Sequence, residues 1–314
     1  MIIYRWYYST PNDHRKACKF EKIKCLINYF KKVTETIPIG TVSFERKYLS
    51  TTVSPEESQN KVCKFEFNSQ LCILQDGANF AMVDFANKYL GGGILNTGCV
   101  QEEIMFAQCP ELIVSRLFTE KLLDNEAVII TGAEQFNQYT GYGDKFKWKM
   151  SYNDSLSRDK YGRLCRQIIA MDALYFSWRT VRSQYEKNKI DRELTKALSA
   201  FQGERFLLNK DRLPAIATGN WGCGVFRGDP YLKSMIQIIA ASIMKRDLIY
   251  FAFDDNRLKE DFNQIRCLLE SKSCLTVSQL YSLTLEFASI KQKEDNFDLV
   301  SFIYDKLSPK SVIT

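Results

Sequence analysis

An α/β layered fold is predicted by three features of this 314-residue chain. Short apolar segments alternate with segments of helical periodicity through its middle and late parts. The run Ala-Val-Ile-Ile-Thr at 127–131 is almost wholly apolar, as in a short strand covered on both faces. Two glycine-rich turns, at 91–93 and 219–224, each follow an apolar run and precede a helical pattern. Strands that enter helices through tight turns build layers of sheet and helix.

Taken in order, Phe20, Ile23, Leu26, Ile27 and Phe30 recur at helical spacing and predict an amphipathic helix over 19–34. Segments 40–48 and 63–67 alternate like strands around a polar loop at 50–60. The run 80–85 is a strand entering the first glycine turn. Segment 103–123 reads as helix, interrupted at Pro110. After the strand at 127–131 come a polar loop at 151–162, a strand at 168–175 and a helix at 191–201. A strand at 213–218 leads into the second glycine turn, followed by a helix at 231–244 and a strand at 248–253. The remainder is mostly helical, and there is no internal repeat or low-complexity segment.

Apolar residues at 45% and charged residues at 25% are ordinary for a globular protein. The net charge of +6 suits a polyanionic ligand, yet no Lys/Arg run is present, so direct nucleic-acid binding is not expected. Ten cysteines with one histidine, His14, and no Cys-x-x-Cys argue against a metal enzyme. The cysteines are scattered, which fits reduced, buried thiols in the nucleus or cytoplasm. The start, Met1-Ile-Ile-Tyr-Arg-Trp-Tyr-Tyr8, is broken by Arg5 and too short for a signal core, and no apolar run approaches a membrane span. An intracellular protein, without a membrane anchor, is the expectation.

The most informative stretch runs from Asp84 to Glu103. Asp84 and Asn87 end a strand, Gly91, Gly92 and Gly93 follow, and Gln101, Glu102 and Glu103 open a helical pattern. Three consecutive glycines are costly in backbone entropy and suit a place where something approaches the main chain closely. The stretch reads as a phosphate cradle coupled to an acid/base group. The bland alternatives are a tight strand-to-helix turn, acids that complement a helix dipole, and Asp and Asn in turn chemistry. Adjacent helical residues point about 100° apart, so one glutamate of the pair can face a substrate squarely. The second turn, Gly219-Asn-Trp-Gly-Cys-Gly224, with Gly222, Gly224 and Gly228, is close to a dinucleotide fingerprint but lacks its spacing. A dinucleotide oxidoreductase is therefore a weaker reading. Cys223 has no nearby histidine in sequence to activate it and reads as a buried thiol.

Gly-Gly-Gly followed at short range by Gln-Glu-Glu resembles the signature of the poly(ADP-ribose) glycohydrolases. The resemblance runs from about Lys22 through Glu134-Gln-Phe-Asn-Gln-Tyr-Thr-Gly-Tyr142 and Ala217-Thr-Gly-Asn-Trp-Gly-Cys-Gly-Val-Phe226 to Tyr250-Phe-Ala-Phe253. It implies a macrodomain-like mixed sheet flanked by helices, with N- and C-terminal helical extensions. One catalytic domain would span 1–314, with its core at about 62–255, a helical and strand extension at 1–61 and a helical part at 256–314.

The same resemblance implies a metal-independent, cofactor-free hydrolase acting on ribose–ribose O-glycosidic bonds of poly(ADP-ribose) carried on modified proteins. Cleavage would be mainly exo, releasing ADP-ribose, by a monomer in the nucleus or cytoplasm. Glu103 becomes the acid/base, with Glu102 and Gln101 holding ribose hydroxyls, Asn87 on ribose, and Asp84 as electrostatic support. Gly91, Gly92 and Gly93, with Gly222 and Gly224, become the two grips on the diphosphate, and Asn220 and Phe226 lie at the distal ribose. Tyr142 and Phe253 become a stacking pair for adenine, with Tyr139 and Ile73 nearby. Aromatic residues at strand ends are otherwise core residues. The usual glycosidase plan flanks the bond with two carboxyls. Neighbouring glutamates do not span a bond in that way, so a single working carboxylate with water attacking an oxocarbenium-like state is expected. A non-catalytic ADP-ribose reader with the same pocket is the alternative.

Two departures from the family stand out. The long region that precedes the match in many relatives is almost absent here, which leaves an apolar edge (Ile2, Ile3, Trp6, Tyr7) expected to pack on the core or meet a partner. Where the family tends to place an acid beside the adenine, this chain has Ile73-Leu-Gln75, so Gln75 or a backbone carbonyl is the expected substitute.

Overall fold

The computed structural model describes residues 13–51, 53–69, 72–203, 213–253, 255–271, 275–294 and 296–307. Its strands are β1 (Ser43–Tyr48), β2 (Phe65–Asn68), β3 (Ala81–Ala86), β4 (Glu126–Thr131), β5 (Asn137–Thr140), β6 (Lys147–Ser151), β7 (Gln167–Asp172), β8 (Ile216–Gly219) and β9 (Leu248–Phe251). All but β5 and β6 share one mixed sheet in the order β1-β4-β7-β3-β8-β9-β2. The first two pairings are antiparallel and the rest parallel. This is the mixed sheet expected of a macrodomain-like core.

The central strands are apolar because both of their faces are covered. In β7 every residue is buried, with Ile168 and Ala170 in one core and Ile169 and Met171 in the other. One core is closed by α4 (Lys187–Phe201), α5 (Pro230–Ile243) and the C-terminal helices α6 (Asn256–Ser271), α7 (Val277–Lys291) and α8 (Leu299–Leu307). The other lies under α1 (Asp13–Glu35), the short α2 (Ile73–Asp76) and α3 (Gln101–Gln108). Parallel strands end on one side of a sheet, so the loops after β3, β7, β8 and β9 converge there, where open α/β sheets bind ligands.

Most expected elements are present, and the differences have local causes. Helix α3 stops at Gln108, and Pro110 starts a 3-10 segment over Pro110–Leu117. The expected strand at 168–175 ends at Asp172, where a loop begins. The hairpin of β5 and β6 was not anticipated; its pairing is irregular at Gln138/Tyr139, which blurs any strict alternation.

Helix α1 buries only part of its predicted stripe: Ile23 and Leu26 are half-buried. Phe20, Ile27 and Phe30 are 50%, 63% and 60% exposed, while Cys18, Lys19, Lys22 and Cys25 are buried. The loop below offers carbonyl oxygens to Lys22 and a sulfur partner to Cys18, and the helix turns these residues toward it. Cys18 is disulfide-bonded to Cys99, 81 residues away. The expectation of uniformly reduced thiols is thereby corrected, although Cys25, Cys63, Cys72, Cys109, Cys165, Cys223 and Cys267 are free. The edge formed by Ile2, Ile3, Trp6 and Tyr7 lies outside the described residues. Among the described residues no helix is long and apolar enough to cross a membrane.

Candidate active site

Strand β3 leads into the loop 87–100, and α3 returns over the strand's end. Gln101 fastens the two: its Nε2 donates to the Val83 carbonyl at 3.0 Å, and its Oε1 accepts from the Phe85 N–H at 2.8 Å. The residue expected to hold a ribose hydroxyl is therefore engaged with the β3 main chain, although it also borders the cavity described below.

The two glutamates turn back into the glycine loop. Glu102 accepts from the N–H groups of Gly91 (2.6 Å) and Asn87 (2.9 Å). Glu103 accepts from those of Gly93 (2.8 Å) and Val100 (2.9 Å). Val100 is the N-cap, so this last bond is half of a capping box; the valine has no acceptor to complete it. Each carboxylate oxygen thus carries one backbone donor and keeps further acceptor capacity.

This bonding corrects the expected role of the triple glycine. Its amides do not point at an empty anion site, because Gly91 and Gly93 donate to the glutamates and Gly92 donates to the Tyr89 carbonyl. The close approach that requires glycine is made by the protein's own side chains. A Cβ on Gly92 (φ +41°) would lie 2.5 Å from Glu102 Oε2 and 2.8 Å from Glu103 Oε1. A Cβ on Gly98 would lie 2.4 Å from Glu103 Oε1. Gly92 and Gly98 make room for the glutamate carboxylates, whereas Gly91 faces Phe106 and Gly93 faces the Gly98 backbone.

Asp84 lies fully buried on β3, and among the described residues neither of its carboxylate oxygens has a hydrogen-bond partner. Burial, and then the negative charge of Glu103, raise its pKa well above the usual value. Glu102 is raised in the same way by burial and by Asp84, against the pull of the Asn87 and Gly91 amides. Asp84 is therefore a buried neighbour that raises the cost of ionisation, set back from the cavity. Asn87 accepts from the Tyr89 N–H at 3.0 Å and stands beside Gly92.

Two cations that sequence reasoning missed hold the loop from outside. Arg116 donates to the carbonyls of Leu90 and Gly92, and Lys22 of α1 to those of Gly93, Asn96 and Gly98. The available sequence signal for Lys22 was weak: it is one charge on a helix rich in lysine. Only the fold brings it to the loop.

A cavity of about 470 Å³ opens between the α3 side and the loop after β8. Val100, Gln101 and Tyr142 border it on one side; Asn220, Gly222, Cys223, Gly224, Val225 and Phe226 border it on the other. In this second loop the N–H groups of Gly224, Val225 and Phe226 have no partner among the described residues. Three successive free amides make an anion-binding concavity. A Cβ on Gly224 would meet nothing within 4 Å, so packing does not require that glycine. Gly222 (φ +75°) is required, since a Cβ there would lie 2.6 Å from Ala173. Asn220 accepts from the Tyr250 hydroxyl at 2.9 Å. Burial, and then Asp229, push the Cys223 thiol well up, which suits an inert side chain. Buried Lys233, ion-paired with Glu193 and 4.1 Å from the Trp221 ring, supports the loop from below.

The aromatic residues divide. Tyr142 and Phe253 both border the cavity, with ring centroids 4.9 Å apart at 53°. A base sandwiched between them needs about 7 Å, two contact distances of about 3.5 Å, so in this state they close on each other. Tyr142 also accepts from the Gln101 N–H at 3.0 Å. Phe253 holds φ +47°, a strained value for a bulky side chain. Tyr139 is buried against Phe146, its hydroxyl 3.6 Å from the Cys72 sulfur, and does not border the cavity. Ile73 does, together with Cys72 and Leu74, whereas Gln75 is exposed and lies outside the lining.

Residues 52–260 match the family model described as poly (ADP-ribose) glycohydrolase (PARG), Macro domain fold. Residues 2–46 match the model of its helical domain. The chain is similar to Poly(ADP-ribose) glycohydrolase 1 of Caenorhabditis elegans, 34% identical over 98% of this chain and 41% of that protein. It is likewise 34% identical to Poly(ADP-ribose) glycohydrolase 1 of Arabidopsis thaliana, over 85% of this chain and 60% of the relative. It therefore spans about half the length of these curated relatives. A solved poly(ADP-ribose) glycohydrolase from Deinococcus radiodurans in complex with ADP-ribose aligns at a TM-score of 0.36 and 18% identity, covering 69% of this chain and 88% of that one. That likeness is too weak to carry an argument.

Proposed function

Because the chain belongs to the poly(ADP-ribose) glycohydrolase family, we propose that it hydrolyses ribose–ribose O-glycosidic bonds of poly(ADP-ribose), mainly exo, and releases ADP-ribose. The observation that carries this reading is the pair Glu102 and Glu103, buried, adjacent, and each fixed by two backbone N–H groups of one loop. A carboxyl held this firmly can present a proton to a departing ribose oxygen without reorganising. Glu103 is the acid and then the base that activates water against an oxocarbenium-like sugar. Glu102 and Asn87 hold the scissile ribose.

The diphosphate is assigned to the second glycine loop, whose three free amides support that role; the first loop's amides serve the glutamates. Phe226 and Asn220 border the distal ribose, and the Phe253 and Tyr142 rings part to admit adenine over Ile73.

The test is to incubate the protein with poly(ADP-ribose) and, separately, with mono-ADP-ribosylated protein, and to identify the products. Free ADP-ribose from polymer, with the single-unit mark left in place, is the expected result. Glu103→Gln should lower turnover by about 10²- to 10⁴-fold while retaining ADP-ribose affinity. Polymer that is bound but never shortened would identify a reader instead.

A further inference from the structure

We propose that Arg227, Tyr175 and Trp178 form a second subsite at the mouth of the cavity, which holds the base and phosphate of the adjoining ADP-ribose unit of a polymer. The proposal rests on the functional reading above and extends it from one unit to two.

Arg227 directly follows Phe226, the last of the three residues with free amides, so its backbone continues the anion-binding loop. Its φ is +61°, a left-handed region that a side-chain-bearing residue enters only under backbone strain. The neighbouring loop, which starts after β7, holds it there. Arg227 Nη1 donates to the Tyr175 hydroxyl and to the Phe176 carbonyl, both at 3.2 Å. The Phe176 N–H bonds the Phe226 carbonyl at 3.1 Å, and Tyr175 packs edge-on against Phe226 with centroids 5.8 Å apart. The cluster is thus continuous with the cavity wall.

With Nη1 engaged, Nε and Nη2 have no partner among the described residues. That edge of a guanidinium offers two parallel donors, the geometry that a phosphate takes in bidentate fashion. The guanidinium also lies 4.5 Å from the centroid of Trp178, which is 80% exposed. An indole this open, oriented by a cation, is a stacking surface for a nucleobase. A base-stacking plane beside a phosphate fork matches the repeating chemistry of the polymer, and the net charge of +6 favours its approach.

Run throughout on the non-cleaving Glu103→Gln background, so that oligomers stay intact, the experiment compares equilibrium binding of free ADP-ribose with that of purified two- to four-unit oligomers, for a subsite left wild type, Trp178→Ala and Arg227→Gly. Glycine accepts the positive φ, so the loop keeps its path in the second variant. The wild-type subsite should bind oligomers more tightly than ADP-ribose. Both variants should lose about tenfold of oligomer affinity, the lower range for removing one base stack, and retain affinity for ADP-ribose. Equal losses for both ligands, or no loss for either, would overturn the subsite. A protein with the wild-type subsite that binds ADP-ribose but gains nothing from a second unit overturns it too and leaves the functional reading standing. Failure of that protein to bind ADP-ribose at all defeats that reading and the subsite with it.

Discussion

Lys22 Nζ lies 2.6 Å from the carbonyl oxygen of Gly98, joining α1 to the loop that carries the glutamates across 76 positions of sequence. The same ammonium reaches the carbonyls of Asn96 at 2.9 Å and Gly93 at 3.1 Å. Three donors meet three acceptors, two of them within the stretch that sets the position of Glu103.

Burial lowers the pKa of Lys22 from 10.5 to about 8, with the charge of Glu103 pulling it back up. A neutral amine keeps two N–H groups for three carbonyls, so the loop loosens as the proton leaves. Turnover should therefore decline on the alkaline side with an apparent pKa near 8. Lys22→Met should lack that limb and run about tenfold or more below the wild-type plateau, as expected when a catalytic group is misplaced. Stability moves the other way. The unfolded chain binds the extra proton between about 8 and 10.5, so wild-type stability gains across that window and the variant's does not. Identical pH–rate profiles for the two proteins would remove Lys22 from the loop's support.

Gly92 and Gly224 separate packing from binding. Gly92→Ala drives a Cβ between Glu102 and Glu103 at a left-handed φ. It should cost about 1–3 kcal/mol of stability and most of the activity. Gly224→Ala meets open space. Its melting temperature should match the wild type, while its ADP-ribose affinity falls about tenfold because the methyl group crowds the free amides. Thermal melts and calorimetric titration of both variants decide this; a destabilised Gly224→Ala contradicts the assignment.

Asp84 predicts a second pH effect. Its folded pKa is raised well above 3.8, so its contribution to stability is fully present at low pH. That contribution is lost as pH rises toward the folded value. Asp84→Asn carries no such proton. Denaturant unfolding should find the variant gaining on the wild type steadily from about pH 4 upward. A difference independent of pH would mean that Asp84 is ionised in the native state.

The Cys18–Cys99 bond closes a loop of 81 residues that contains β3 and the first glycine turn. Cross-links of this kind typically stabilise a fold by roughly 2–4 kcal/mol. Dithiothreitol or Cys99→Ser should lower stability by about that amount, and alkylation followed by mass spectrometry should find the pair protected before reduction. Free labelling of both cysteines in the native, unreduced protein would contradict the bond.

How far the site was legible depends on the range of each interaction. The strand entering Gly91, the glutamates at a helix start and the second glycine turn follow from local pattern. The sequence order β3, turn, α3 was legible because strand and helix periods are written within a few residues. The use of the first turn was not. That Gly91 and Gly93 serve carboxylates eleven and ten residues onward depends on how α3 folds back, and a glycine triplet looks the same with either partner. Tyr139 went to the core because the irregular hairpin, invisible as a pattern, turned its ring toward Phe146.

Helix α1 marks the division most clearly. Its helicity over 19–34 is legible from side-chain spacing alone, although the helix itself begins earlier, at Asp13. Its inward face was decided by the carbonyls of residues 93–98 and the sulfur of Cys99, which lie more than 70 positions away in sequence. Short-range periodicity records what a segment can become. Which polar groups it must satisfy exists only once distant backbone has been folded against it, because a buried carbonyl takes whatever donor the tertiary structure brings within reach.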